Sequence, residues 1–167
     1  MFVRTKQIKG NDYAYLSENK WSKRSKKVKQ STKKYLGRVY RFDKVEDIEF
    51  DYDSSNVSDM IRAVVSWELR KHGFKENKDV LERDDCFVDL KERRVYGKRG
   101  RIAIAMNDGL LADYTMRRLF HYTRIKDGYD YAKKFVEAGL NVPKEVFVEI
   151  YSKLFKGAEI VDDENEY

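Results

Sequence analysis

The chain has 167 residues, 38% of them charged and 14% aromatic, with 35 Lys and Arg against 29 Asp and Glu. One Cys leaves no internal disulfide, one Cys with two His leaves no ordinary structural zinc site, and one Pro excludes proline-rich and collagen-like classes. No apolar run approaches the length of a membrane span, the first residues hold no apolar leader core, and the aromatics argue against disorder, so the chain reads as a soluble, cytoplasmic α+β protein.

Charge is segregated along the chain. Met1 to Lys44 carries 14 Lys and Arg against 3 Asp and Glu, a net of +11. Val45 to Asp59 has 6 acids and no base. Met60 to Gly157 has 21 bases and 15 acids, and Ala158 to Tyr167 has 5 acids and no base. This predicts a basic β-sheet module at 1–44, an acidic linker at 45–59, an α+β domain at 60–157 and an acidic tail at 158–167.

In the first module, Phe2 to Lys9 reads as a strand, Gly10-Asn11-Asp12 as a turn and Tyr13 to Leu16 as the returning strand. Asn19 to Lys27 reads as an exposed loop around Trp21. Val28 to Leu36 reads as a third strand, broken by Gly37, and Arg38 to Phe42 as a fourth. So thin a sheet is expected to lean on the second module or on a partner. Its bases are Arg4, Lys6, Lys9, Lys23, Arg24, Lys26, Lys27, Lys29, Lys33, Lys34 and Arg38, interleaved with Tyr13, Tyr15, Trp21 and Tyr40. Such bases neutralise phosphates, and such rings stack on unpaired bases, so the module is a candidate nucleic-acid surface. The same rings also suit the core of a small sheet, with the lysines solvating its rim.

The run Phe2-Val3-Arg4, Ile8-Lys9-Gly10, Tyr13, Tyr15-Leu16, Lys29-Gln30 and Lys34-Tyr35-Leu36-Gly37 resembles the β-rich start of some prokaryotic transposases and of some uncharacterised archaeal proteins. The resemblance covers about the first 42 residues. It implies contact with DNA or RNA; it supplies no catalytic residue, because the transposase catalytic domain lies beyond that segment.

The second module reads as helix, sheet and helical hairpin. Ser54, Ser55 and Asn56 offer caps to a helix whose stripe is Val57, Met60, Ile61, Val64, Val65 and Leu69, ending at Gly73. His72 then reads as a surface group at the helix end. Cys86 to Leu90 and Val95-Tyr96 read as paired strands, and Arg101 to Met106 as the clearest strand. The basic turn between them supplies Arg93, Arg94, Lys98, Arg99 and Arg101; its Gly97-Lys98-Arg99-Gly100 lacks the spacing of a Walker loop. A helix is expected from Ala112 to Ile125, with Arg117, His121 and Arg124 on one face and Met116, Leu119 and Phe120 inward. That face suits phosphates, or is a solvated surface. Helices at Tyr129–Ala138 and from Pro143 onward form the hairpin.

These patterns predict a non-catalytic protein that binds RNA or DNA and needs no cofactor. One alternative is a metal-dependent nuclease of restriction-endonuclease-like type, with Asp79, Asp89 and Lys91 plus Glu68 of the preceding helix around Mg²⁺ or Mn²⁺. Another is an adaptor that docks a protein partner through the acidic linker or tail.

Overall fold

Lys9 and Gly10, both with positive φ at 50° and 79°, fold the first hairpin of the computed structural model. Two such residues make the mirror-image turn whose twist suits a hairpin. The turn thus falls one residue earlier than expected, joining β1 (Phe2–Ile8) to β2 (Asn11–Ser22). The structure describes residues 1–53, 56–122 and 125–155. β2 runs through the segment expected as a loop, because Asn19 to Ser22 pair with Lys27 to Gln30. The expected third and fourth strands are likewise one, β3 (Lys27–Arg41).

Gly37 is why β3 continues. With φ at +143° it sits against the next strand so closely that a Cβ would lie 2.5 Å from the Ile102 Cα. A glycine read as a breaker in fact permits the approach of β8 (Gly100–Met106), which pairs with β3 in parallel from Arg38↔Ile102 to Arg41↔Ala105. The basic β module therefore leans on the second segment, as expected of so thin a sheet.

Between these strands come α1 (Val57–Lys71), β4 (Lys75–Asn77), β5 (Val80–Arg83), β6 (Cys86–Asp89) and β7 (Arg94–Gly97). The Asn56 side chain caps α1 by accepting from the Asp59 amide at 2.9 Å; Ser54 and Ser55 lie outside the described residues. After β8 come β9 (Gly109–Leu111), α2 (Asp113–Leu119), α3 (Gly128–Glu137) and α4 (Lys144–Phe155). The sheet order is β1-β2-β3-β8-β7-β6-β5-β4, with β9 pairing β8. This is an α+β fold with a mixed sheet, antiparallel except at β3–β8. No helix among the described residues is long and apolar enough to cross a membrane.

The main core collects the α1 stripe (Met60, Ile61, Val64, Val65, Leu69) with Ile102, Ile104 and Met106 of β8, Met116 and Leu119 of α2, and Tyr131 and Phe135 of α3. A smaller cluster around Ala14, Leu16, Leu36, Ala103 and Ala112 joins the first module to the second. His72 is 2% exposed, contrary to the surface position expected of it: its Nδ1 meets the Glu68 carbonyl at 2.8 Å, one turn back.

The acidic linker is a strap. Phe50 and Tyr52 pack against the main core and half-buried Ile48 holds it through its carbonyl, alternating with the outward acids Glu49, Asp51 and Asp53. Trp67 Nε1 donates to the Ile48 carbonyl at 2.7 Å, Phe50 meets the Trp67 ring edge-on at 5.0 Å, and the Tyr52 hydroxyl donates to Glu149 of α4. Residues 156–167, which include the acidic tail, lie outside the described residues.

Candidate nucleic-acid interface

α2 starts where its own backbone is satisfied locally. The Ala112 amide donates to the Thr115 hydroxyl at 2.9 Å, and that hydroxyl donates to the Leu110 carbonyl at 2.7 Å. Asp113 then accepts from the Val95 amide at 2.6 Å, which ties the helix to β7. With Thr115, Met116 and Leu119 buried, Tyr114, Arg117 and Arg118 are left at the surface. The helix ends at Leu119, capped by Phe120, and does not reach Ile125 as expected. His121 therefore follows the helix and shares no helical face with Arg117, and Arg124 lies outside the described residues. Phe120 is buried, as expected, under the Arg93 guanidinium at 4.2 Å from its ring.

A concave pocket of about 550 Å³ nevertheless gathers all three basic segments. β3 lends Lys34, Tyr35 and Leu36, β7 and β8 lend Arg94 and Arg101, and α2 with its C-terminal flank lends Asp113, Tyr114, Arg117, Arg118 and His121. Arg118 is engaged, by Glu137 and by the Tyr114 ring at 5.4 Å. Lys34, Arg94, Arg101 and Arg117 have no carboxylate partner among the described residues. Four unpaired cations against the single carboxylate of Asp113 around one hollow give a field that attracts a polyanion.

Tyr35 carries this surface onto the first module. Its ring lies 5.5 Å from that of Tyr15 and 6.3 Å from that of Tyr13. Burial, then the neighbouring phenols of Tyr13, Tyr15 and Tyr40, push the Tyr35 hydroxyl above its ordinary pKa against the pull of Arg38. It thus remains a neutral hydrogen-bonding group at physiological pH. Lys6 lies over Tyr15 at 5.4 Å, and strand register sets Arg4 beside Tyr15 and Arg38 beside Tyr13. Tyr40, by contrast, packs against the main core.

No family model, no curated protein and no solved structure matches this chain. Its site is therefore read from its own geometry.

The remaining residues expected at the interface fall elsewhere. Lys98 pairs with Asp85 at 2.7 Å, Arg99 is exposed at the β7–β8 turn, and Lys33 reaches Glu18 at 3.5 Å. Lys9 sits in the β1–β2 turn. Trp21, Lys23, Arg24, Lys26, Lys27 and Lys29 lie at the far end of β2 and β3. Of the alternative nuclease set, Asp79, Asp89 and Lys91 share a shallow depression beside β5. Glu68 does not join them. It is fully buried, accepting from Asn107 Nδ2 at 3.0 Å and the Asn141 amide at 3.1 Å, with Lys71 Nζ at 3.1 Å. Among the described residues no three His, Cys, Asp or Glu side chains gather as a metal site.

The sequence reading left out Tyr35, Tyr114 and Asp113, and set Arg118 beside Tyr122 instead of Tyr114. Tyr114 and Arg118 are four apart on a helix, a spacing that marks neighbouring side chains and was the available signal.

Proposed function

We propose that this protein binds RNA or DNA in the cytoplasm, without chemistry of its own. One observation carries the reading. Basic segments around residues 34, 94–101 and 117–121, remote in sequence, converge on one pocket where four cations have no carboxylate partner among the described residues, beside a cluster of three tyrosines. A phosphate chain suits the cations and an unpaired base suits the tyrosine faces. The likeness of the first 42 residues to transposase starts points the same way.

The test is a salt titration of binding to labelled oligonucleotides, with Arg94→Ala/Arg101→Ala/Arg117→Ala beside the wild type. Each phosphate contact adds about 0.7 to 0.9 to the slope of log affinity on log salt, so losing three contacts flattens it by about 2 to 3. An unchanged slope in the folded triple variant, or equal affinity for heparin and nucleic acid, refutes the reading.

A further inference from the structure

β2 and β3 run on past the rest of the sheet. β1 pairs with β2 only as far as Ser17, and β8 pairs with β3 only from Arg38 onward. Residues 18–22 and 27–31 therefore form a two-stranded arm with no strand on either edge. The register skips Lys33 at its base, a bulge that bends a strand pair and tightens its twist.

Alternation gives the arm two unlike faces. The cross-strand pairs Asn19↔Gln30 and Trp21↔Val28 lie on one face, and Lys20↔Lys29 and Ser22↔Lys27 on the other. The first face holds two amides, an indole and an isopropyl group, with no charge. Trp21 is 62% exposed there and Val28 59%. The second face and the Lys23, Arg24 and Lys26 tip are basic, and the arm's acid, Glu18, is held by Lys20 at 2.8 Å.

We propose that this arm lies in the major groove of duplex DNA, uncharged face toward the base edges, lysines reaching round to the phosphates of the walls. The proposal rests on the nucleic-acid reading above and adds the duplex and the groove. Two strands ~4.8 Å apart with their flanking side chains fill a groove ~12 Å wide, and five paired residues at ~3.4 Å each exceed its depth of ~8.5 Å. Asn and Gln amides match the donor and acceptor of adenine, and an aliphatic group suits the thymine methyl. The major groove of A-form RNA is too narrow for a ribbon, so the geometry selects DNA. A lipid surface or a protein would also meet Trp21, but neither requires a cross-strand pair of amides next to a cross-strand apolar pair, with a basic reverse face.

Fluorescence anisotropy tests this with four probes: an A·T-rich DNA duplex, the same duplex with 7-deazaadenine (which lacks the N7 acceptor), the matching RNA duplex, and the single strands. The wild type is expected to prefer the DNA duplex to the RNA duplex and to lose affinity on the deaza probe. Asn19→Ala/Gln30→Ala is expected to lose about tenfold on the DNA duplex and to ignore the deaza change. Both sites are exposed, so the fold is kept, as circular dichroism checks. Equal binding of the two duplexes overturns the proposal. So does a double-amide variant that binds like wild type while the Arg94/Arg101/Arg117 variant loses affinity; that outcome leaves the nucleic-acid reading standing. Preference for single strands, lost in Trp21→Ala, makes the arm a stacking platform and overturns the groove. Preference for phosphatidylserine vesicles over every oligonucleotide overturns it too, and failure to bind any nucleic acid overturns both readings.

Discussion

Replacing Glu68 separates a structural carboxylate from a catalytic one. Its oxygens meet four partners: Asn107 in the β8–β9 turn, the Asn141 amide between α3 and α4, Lys71 of its own helix and, at 3.6 Å, the His72 ring. In Glu68→Ala the Lys71 ammonium, its side chain 8% exposed, keeps the Trp67 ring at 3.7 Å and the field of Asp47, an exposed carboxylate already paired with Lys44. Breaking a buried ion pair from one side costs ~3–5 kcal/mol. The orphaned amides add little, since Asn107 also donates to the Gly139 carbonyl at 2.8 Å and Asn141 is exposed. We therefore expect Glu68→Ala to cost ~4 kcal/mol, and Glu68→Gln, which keeps one acceptor, ~2 kcal/mol. At about 2–4 °C per kcal/mol for a chain of this size, Glu68→Ala should lower Tm by roughly 8–15 °C. Urea unfolding followed by circular dichroism measures the cost, and the cycle with Lys71→Met should show a coupling of ~2 kcal/mol. A carboxylate held for metal catalysis behaves oppositely, because neutralising it relieves repulsion. If Glu68→Gln leaves stability unchanged or raises it, the structural role is wrong and the four-residue nuclease set returns.

Two further outcomes follow from backbone and burial. Gly37→Ala should cost ~2–5 kcal/mol in urea unfolding, since the methyl meets the Ile102 backbone at 2.5 Å, whereas Gly10→Ala, whose methyl meets open space, should cost only the ~1–2 kcal/mol of its left-handed φ. Equal costs at the two sites would refute the close-approach account of Gly37. Burial first, then Asp84 and Asp85, push the Cys86 thiol from 9.0 up to about 11, so at pH 8 a disulfide reagent should meet about a hundredfold less thiolate in the folded protein than in urea. The stability this raised pKa contributes is whole below pH 9.0 and is lost as pH rises through about 11. Equal reaction rates with and without urea would refute the burial of Cys86.

What the sequence made legible was what is local. α1 announced itself by its stripe and its Asn56 cap, and β8 by its alternating Ile and Ala. β4 and β5 escaped because Lys-Glu-Asn and Val-Leu-Glu-Arg carry little apolar signal. Their turns are built on positive-φ Lys78, Asp84 and Asp85 in place of the usual glycine. The strap escaped because six acids drew attention from the alternation of Ile48, Phe50 and Tyr52 beneath them. The basic segments were each visible, but their meeting was not. It depends on the parallel β3–β8 pairing and on α2 ending at Leu119, which brings His121 to the pocket rim off the helix. Neither event leaves a periodicity to read.

The parallel β3–β8 pairing joins residues 38–41 to 102–105. Closing a chain loop of that length is entropically unfavourable and tends to come late in folding. The pocket straddles this seam, with Lys34 and Tyr35 on one bank and Arg94, Arg101 and Arg117 on the other. A ligand spanning both banks binds only the closed arrangement, so by mass action it opposes their parting and slows hydrogen exchange along the seam. A pairing that is entropically unfavourable to close is thereby reinforced on binding.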